Sequence, residues 1–279
     1  VGKNNKKITT QHTFWLPLWE IIIAPLIKVT FLGSGTSQGV PVVACPCEVC
    51  RSADSRDHRL RASVLIETNG QVLLIDAGPD FRYQMLREKV TKLDAILITH
   101  SHRDHIAGLD DVRSFNYLSR QPMAIYASEN DQTEIKQEFS YAFGAERHPG
   151  LPQYTLHTID DQPFTIGSTT IVPLSALHRS MEVYGFRIGD FAYITDTNYI
   201  PPPTLALLDG VKYMVIGAVR KEPHVSHYHL AQAVKVMEFI HPEVGYITHL
   251  SHLMGFHSEV EKELPPQIRL AYDGLKLEL

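Results

Sequence analysis

Cysteine is scarce in this 279-residue chain, and all three cysteines stand between positions 45 and 50. Thiols so close together cannot staple distant parts of a secreted fold. A disulfide framework is therefore excluded, and a metal or a reducing compartment is indicated, with the cytoplasm as the expected location. Also missing is any uninterrupted apolar run of the length that a membrane-spanning helix needs, so no membrane partner is expected. Excess positive charge is missing too. Lys and Arg number 26 against 31 Asp and Glu, a formal net charge of −5 with no footprint for a polyanion, and no nucleic acid partner is expected. With 44% apolar and 20% charged residues, the chain has the balance of a soluble globular protein, long enough to bury a core without disulfides.

Lys3, Lys6 and Lys7 precede the apolar stretch Phe14 to Leu26 and together imitate the start of a signal peptide. Glu20 and two prolines interrupt that stretch, and no small-residue cleavage pattern follows, so export is not expected. Residues 1–26 read as an N-terminal extension, a surface strand or amphipathic arm, and residues 27–279 as a single domain. From Ile27 the chain reads as strand, Gly-rich turn and cysteine loop. Ser63 to Thr68 and Val72 to Ile75 are β-rich runs joined by Asn69-Gly70, a two-residue hairpin signal. A helix is expected over Asp80 to Lys89, a buried strand over Leu93 to Thr99 and a helix over Ile106 to Leu118. Ala124 to Ala127 and Asp131 to Phe139 repeat the strand and helix pattern, and residues 140 to 153 read as irregular. The second half opens on the strands Phe164 to Ile166, Thr170 to Leu177, Tyr184 to Ile188 and Phe191 to Thr195, then alternates helix and strand from Pro201. Two mixed halves predict an α/β (α+β) fold of two sheets face to face with helices outside.

The chemistry concentrates in Thr99-His100-Ser101-His102-Arg103-Asp104-His105, directly after the apolar run ending at Ile98. In an extended segment His100 and His102 point to one side, while Asp104 and His105 open the next helix and can turn back toward them. One histidine alone would read as a surface or capping residue. Four groups in six residues read as a site for a borderline metal such as zinc. His178, Asp196 and His249 each follow a predicted strand. If those strands run the same way, all four segments emerge along one edge, where open α/β architectures place ligands.

This series, His100-x-His102-x-Asp104-His105 with His178, Asp196 and His249, resembles the ligand set of the metallo-β-lactamase superfamily from about residue 27 to the end. The resemblance implies a four-layer αβ/βα sandwich with a binuclear metal centre. His100, His102 and His178 would hold one metal, Asp104, His105 and His249 the other, and Asp196 would bridge them. It also implies that Asp76 braces the ligand loop. Two divalent cations so placed let a bridging hydroxide attack an ester near neutral pH. The ligand types suit zinc or manganese, with iron as a third option.

Cys45-x-Cys47-x-x-Cys50 supplies three thiolates, and a closed structural zinc normally takes four ligands. His252, three residues beyond His249, is the candidate fourth. Free buried thiols or a casual disulfide is the plainer alternative. The combination is similar to the phosphoribosyl 1,2-cyclic phosphate phosphodiesterase family of the carbon-phosphorus lyase pathway, as are Gly33-Ser34-Gly35-Thr36 and His227-Tyr228-His229-Leu230. That resemblance makes His227 the general acid, a role imidazole suits, with Asp104 also expected to be catalytic; from the residues alone His224 and His229 compete with His227. The implied activity is metal-dependent hydrolysis of a small, cyclic phosphodiester. The alternatives are thioester, lactone or tRNA 3′ hydrolysis on the same fold, or a non-catalytic zinc protein of coenzyme biosynthesis. The extra N-terminal arm and the stretch Tyr141 to Gln153 depart from the family and put the phosphoribosyl substrate in doubt. A homodimer is left open as the assembly.

Overall fold

The computed structural model describes residue 2 and residues 26–144, 148 and 150–279. Lys3, Lys6, Lys7 and residues 14–25 of the apolar stretch, read above as an appended arm, lie outside the described residues, as do 145–147 and 149 of the irregular stretch. Among the described residues fourteen strands follow in chain order. They are β1 (Lys28–Gly33), β2 (Ser63–Thr68), β3 (Gln71–Ile75), β4 (Ala95–Leu97), β5 (Met123–Ala127), β6 (Tyr154–Thr158) and β7 (Phe164–Ile166). Then come β8 (Thr169–His178), β9 (Met181–Ile188), β10 (Phe191–Ile194), β11 (Tyr213–Gly217), β12 (Val244–Thr248), β13 (Ile268–Leu270) and β14 (Lys276–Glu278). Two seven-stranded sheets result, ordered β14-β1-β2-β3-β4-β5-β6 and β13-β12-β11-β10-β9-β8-β7.

Alternating side-chain direction explains the layering, because each strand sends successive residues to opposite faces. Leu73 and Ile75 of β3 join Phe191 and Tyr193 of β10 in the core between the sheets. Leu74 points the other way, onto Phe81, Met85, Phe115 and Ile135, while Ala192 and Ile194 point to Leu230, Ala233, Met237 and Val260. These partners come from the covering helices. Over the first sheet lie α1 (Phe81–Arg87), α2 (Arg103–Ile106), α3 (Arg113–Ser119), α4 (Glu129–Glu138) and α5 (Ser140–Phe143); over the second, α6 (Pro202–Leu207), α7 (Leu230–Ile240) and α8 (His257–Glu263). The expected sandwich of two sheets with helices outside is what the chain forms. Each strand leucine or isoleucine so enclosed stabilises the fold by about 1.5–3 kcal/mol.

Two local expectations need correction, and one pairing was not foreseen. The helix expected over Ile106 to Leu118 is broken into α2, a 3-10 turn at Leu109–Val112 and α3. The cause is Gly108, whose amide donates to Ala77 O at 2.8 Å and whose missing Cβ leaves room for Gly78 O, 2.1 Å from where a Cβ would stand. Residues 140–143 are helical rather than irregular. β14 leaves the second half and pairs with β1 in the first sheet, a crossing that no local pattern announces. The hairpin at Asn69-Gly70 has positive φ at both residues, 51° and 73°, the geometry a two-residue turn of this kind needs.

Candidate active site

β10, β11 and β12 run parallel, and β8 runs parallel to β10 because each is antiparallel to β9. His178, Asp196 and His249 therefore leave the second sheet at one edge. The loop after β4 arrives from the first sheet, tied across by the Tyr184 amide donating to Thr99 O at 2.9 Å. Asp76, Asp196 and His249 have φ of 64°, 47° and 57°, a left-handed conformation costing side-chain-bearing residues about 1–3 kcal/mol each. Such strain persists only where the surroundings hold it, and here it turns three side chains off strand ends into a common centre. Gly78 is part of that holding. A Cβ there would stand 2.0 Å from Asp104 O, so only glycine lets the β3 loop lie against the segment carrying Asp104 and His105.

The centre is dense. His100 Nε2 lies 3.0 Å from His102 Nδ1 and 3.8 Å from Asp196 Oδ2. His105 Nε2 lies 3.3 Å from Asp104 Oδ2 and 3.5 Å from Asp196 Oδ2. His249 Nε2 stands 3.0 Å from Asp196 Oδ1 and 3.8 Å from Asp104 Oδ2. Ligand-capable atoms fall into three compact sets: Asp104, His105, Asp196 and His249; His100, His102 and Asp196; His178, Asp196 and His227. Asp196 belongs to all three, as a bridging carboxylate would. One detail differs from the implied split. His178 makes its compact set with Asp196 and His227 rather than with His100 and His102, although its ring is still 5.2 Å from that of His102.

Outer contacts orient these rings. His105 Nδ1 donates to Asp76 Oδ2 at 2.7 Å, and Asp76, fully buried, also accepts from Thr99 N and Thr99 Oγ1 at 2.8 Å each. Asp76 thus braces the loop. His178 Nδ1 donates to Ser226 O at 2.7 Å, and Thr195 Oγ1 donates to Asp196 Oδ1 at 2.8 Å. Neither Ser226 nor Thr195 was anticipated. A backbone carbonyl has no residue signature, and Thr195 could have been found only as the neighbour of a candidate ligand.

Charges follow from this geometry. Burial opposes a charge on His249, but Asp196 and Asp104 outweigh it and lift the imidazole to about 9. Burial likewise works against Asp196, yet His249 and His105 hold it well below the usual carboxylate range. At His227 the pull of Asp196 is too weak to decide. Burial, then the neighbouring His249, pushes it down to about 3.

His105 Nε2 and both ring nitrogens of His249 are buried without a hydrogen-bond partner. Orphaned nitrogens beside two carboxylates are costly unless something positive sits among them. The centre therefore fits divalent metal ions, which an N,O donor set of this type would hold. A second cluster fits zinc. Cys45, Cys47 and Cys50 Sγ lie 3.3, 3.3 and 3.6 Å from His252 Nδ1, close to the roughly 3.6 Å edge of a tetrahedron with Zn–S near 2.3 Å and Zn–N near 2.0 Å. The Cys50 amide donates to Cys47 Sγ and lowers that thiol, whereas burial raises Cys50.

Of the three competing histidines, His227 is the one at the centre, with ring centroids 4.5 Å from His178 and 5.1 Å from His249. His224 stands behind it at 5.0 Å. His229 caps α7 instead, its amide donating to Gln232 Oε1 at 3.2 Å.

Two mixed sheets between helices, with a histidine and aspartate centre at their shared edge, define a metal-dependent hydrolase fold. The chain belongs to the metallo-β-lactamase superfamily: residues 71–250 match the family model described as Beta-lactamase superfamily domain. It is similar to the solved structure of a new diphosphatase from the PhnP family, at 40% identity and a TM-score of 0.86 over 91% of this chain and 97% of that one. It shares the fold of Zn(2+)-bound PqqB from Methylobacterium extorquens, with a TM-score of 0.73 at 19% identity over 90% of this chain and 100% of that one. A Porphyromonas gingivalis protein named octanoyltransferase is 38% identical over 253 residues, 90% of this chain and 51% of that protein. The chain thus spans about half the length of that curated relative. Among the described residues no helix is long and apolar enough to cross a membrane.

Proposed function

We propose that the protein is a metal-dependent phosphodiesterase acting on a small substrate, cyclic esters included, with His100, His102, Asp104, His105, His178, Asp196 and His249 holding two divalent ions. Zinc and manganese suit this donor set best, and Cys45, Cys47, Cys50 and His252 would hold a structural zinc. When bound, the two ions lower the pKa of water toward neutrality and neutralise charge on phosphoryl oxygens. The chain's own groups do the rest. Asp104 and Asp196 place negative charge where cations are needed, while Asp76 and the Ser226 carbonyl fix the tautomers of His105 and His178.

The observation that carries the reading is His227, an imidazole against both His178 and His249 at the edge of the centre. A departing alkoxide needs a proton, and His227 is placed to give one from its ring, an effect on the order of 10² to 10⁴ in rate. It is neutral in the free chain, and an anionic phosphoryl group beside it would favour the proton. The similar diphosphatase supports a phosphoryl substrate. A non-catalytic zinc protein is the weaker reading, because all seven candidate positions are filled and brought together. The name octanoyltransferase belongs to a protein of which this chain covers half, so it assigns no acyl chemistry to this part.

Metal-loaded protein should be tested against bis(p-nitrophenyl) phosphate, a thioester and a lactone. Turnover of the phosphodiester is expected. Hydrolysis confined to the carbonyl substrates would overturn the proposal.

A further inference from the structure

Two cavities meet the centre, and the smaller is bordered by a loop that one arginine folds. His102 lines a cavity of about 670 Å³, whereas His227 and His249 line a smaller one of about 260 Å³ together with Arg220 and His224. Residues 218–229 connect β11 to α7 without helix or strand. Two backbone bonds close the neck of this loop: the Leu230 amide donates to Arg220 O at 2.9 Å and the Val219 amide to Tyr228 O at 3.2 Å. Beyond that neck the path of the chain is left to side chains, since its polar backbone groups find few partners in one another.

Arg220 supplies the missing partners. Its Nε donates to Glu222 O at 3.3 Å and its Nη2 to Pro223 O at 2.7 Å, so the guanidinium is turned back into its own loop. The planar fork of arginine can serve two carbonyls at once, which a lysine ammonium on a flexible stem does less well. Lys221 next to it takes a carboxylate instead, its Nζ donating to both oxygens of Glu263 at 2.7 Å. From Pro223 the contacts run on to the centre. The Ser226 amide donates to His224 Nδ1 at 3.3 Å, and the Ser226 carbonyl accepts from His178 Nδ1 at 2.7 Å. His227 follows, its ring 5.0 Å from that of His224 and 4.5 Å from that of His178. On its far side the Tyr228 amide donates to Thr197 O at 2.7 Å.

From this we infer that Arg220 is the positioning residue of the acid loop, setting where the His227 ring meets the departing oxygen while touching no reacting atom itself. The inference rests on the reading of His227 as general acid and deepens it. In that step the oxygen of water bonds to phosphorus and the ester P–O bond breaks with its electron pair on the departing oxygen, which takes a proton from His227. A donor displaced by about 1 Å costs on the order of 10²-fold in rate, and the cost falls only on a leaving oxygen that needs the proton.

A double-mutant cycle of Arg220→Ala and His227→Gln tests it on metal-loaded protein with two substrates. Ethylene phosphate releases an alkoxide, which needs a proton, and bis(p-nitrophenyl) phosphate releases a phenolate, which does not. Arg220→Ala should lower kcat for ethylene phosphate by roughly ten- to a hundredfold with KM within about threefold, and should cost the phenolate ester much less. Arg220→Lys should fall between the parent and Arg220→Ala. Added to His227→Gln, Arg220→Ala should cost no more than about twofold, because the group it acts through is gone. Metal-free protein gives a readout that needs no turnover: amide hydrogen exchange over residues 224–230 should quicken in Arg220→Ala and stay near the parent in His227→Gln. Equal losses on both substrates, losses that multiply in the double variant, a raised KM with kcat unchanged, or unaltered exchange would each overturn the assignment. Quickened exchange in Arg220→Ala, with ethylene phosphate turnover spared by His227→Gln, would instead remove the acid reading and leave Arg220 as the anchor of the loop.

Discussion

The molecule carries two metal-competent clusters built on opposite plans. The Cys45, Cys47, Cys50 and His252 cluster is closed: four donors point at one position, three from a single loop and one from a residue 202 or more positions away. The seven-residue centre is open, drawing its donors from four strand ends in two sheets and sharing Asp196 among all of its compact sets. A closed set would fill every coordination position and leave no place for a substrate, so a metal held there would be structural. An open set lines a cavity at each end, and its orphaned buried nitrogens are costly unless something positive sits among them. On the proposed reading stability and chemistry fall to separate clusters, joined through only Leu250 and Ser251 between His249 and His252.

The sharpest way to break the comparison is to remove the shared carboxylate. Asp196→Ala deprives every compact set of its common member, so hydrolysis should fall on the order of 10³-fold or more. Metal analysis should show about one tightly held ion left per chain, on the cysteines. Loss of all metal would mean that the clusters are not separate. Next in size is His227→Gln, expected to lower turnover by about 10²-fold or more for an alkyl leaving group. The loss should be much smaller for p-nitrophenolate, which departs without a proton. An equal loss for both leaving groups would reduce His227 to a positioning residue.

Gly78→Ala probes the scaffold rather than a donor. The added methyl would stand 2.0 Å from the Asp104 carbonyl oxygen, and a shift of the ligand loop by about 1 Å costs on the order of 10²-fold in rate. The cysteine cluster should keep its metal, and rates within a few-fold of the parent would show that the loop yields without moving Asp104.

How much of this was legible beforehand divides along the same line. The His100 to His105 run, the strand-end placement of His178, Asp196 and His249, and the pairing of His252 with the cysteines all rest on donor types and strand periodicity, which a chain displays locally. The two sheets were legible in the mixed strand and helix order of the two halves, and the four layers in the family resemblance, whereas the division of Leu73 and Ile75 from Leu74 between two cores was not. What depends on tertiary approach was not. Gly108 reads as an ordinary glycine until Gly78 is opposite it, and Ser226 is unremarkable until its carbonyl meets His178. Likewise, nothing near Lys276 foretells that β14 crosses to the first sheet.

The smallest expected effect on rate comes from opening the closed cluster, and its value lies in what changes instead. His252→Ala removes the one donor that reaches the cysteine loop from another part of the chain, leaving three thiolates without closure. His252 also borders the smaller cavity beside His249, so hydrolysis should fall by roughly tenfold or less. Stability should respond more strongly. A ligand that binds only the folded chain stabilises it by about 4 kcal/mol when present at a thousand times its dissociation constant, and the variant forfeits most of that contribution. Urea denaturation should therefore show a lower midpoint for the variant in zinc buffer and nearly coincident curves once a chelator has stripped the parent. Two ions per chain should still load at the open centre. A variant as stable as the parent, or one that loses the open centre's ions together with the cysteine-bound one, would show that the clusters are one cooperative unit, and the division between stability and chemistry would fail.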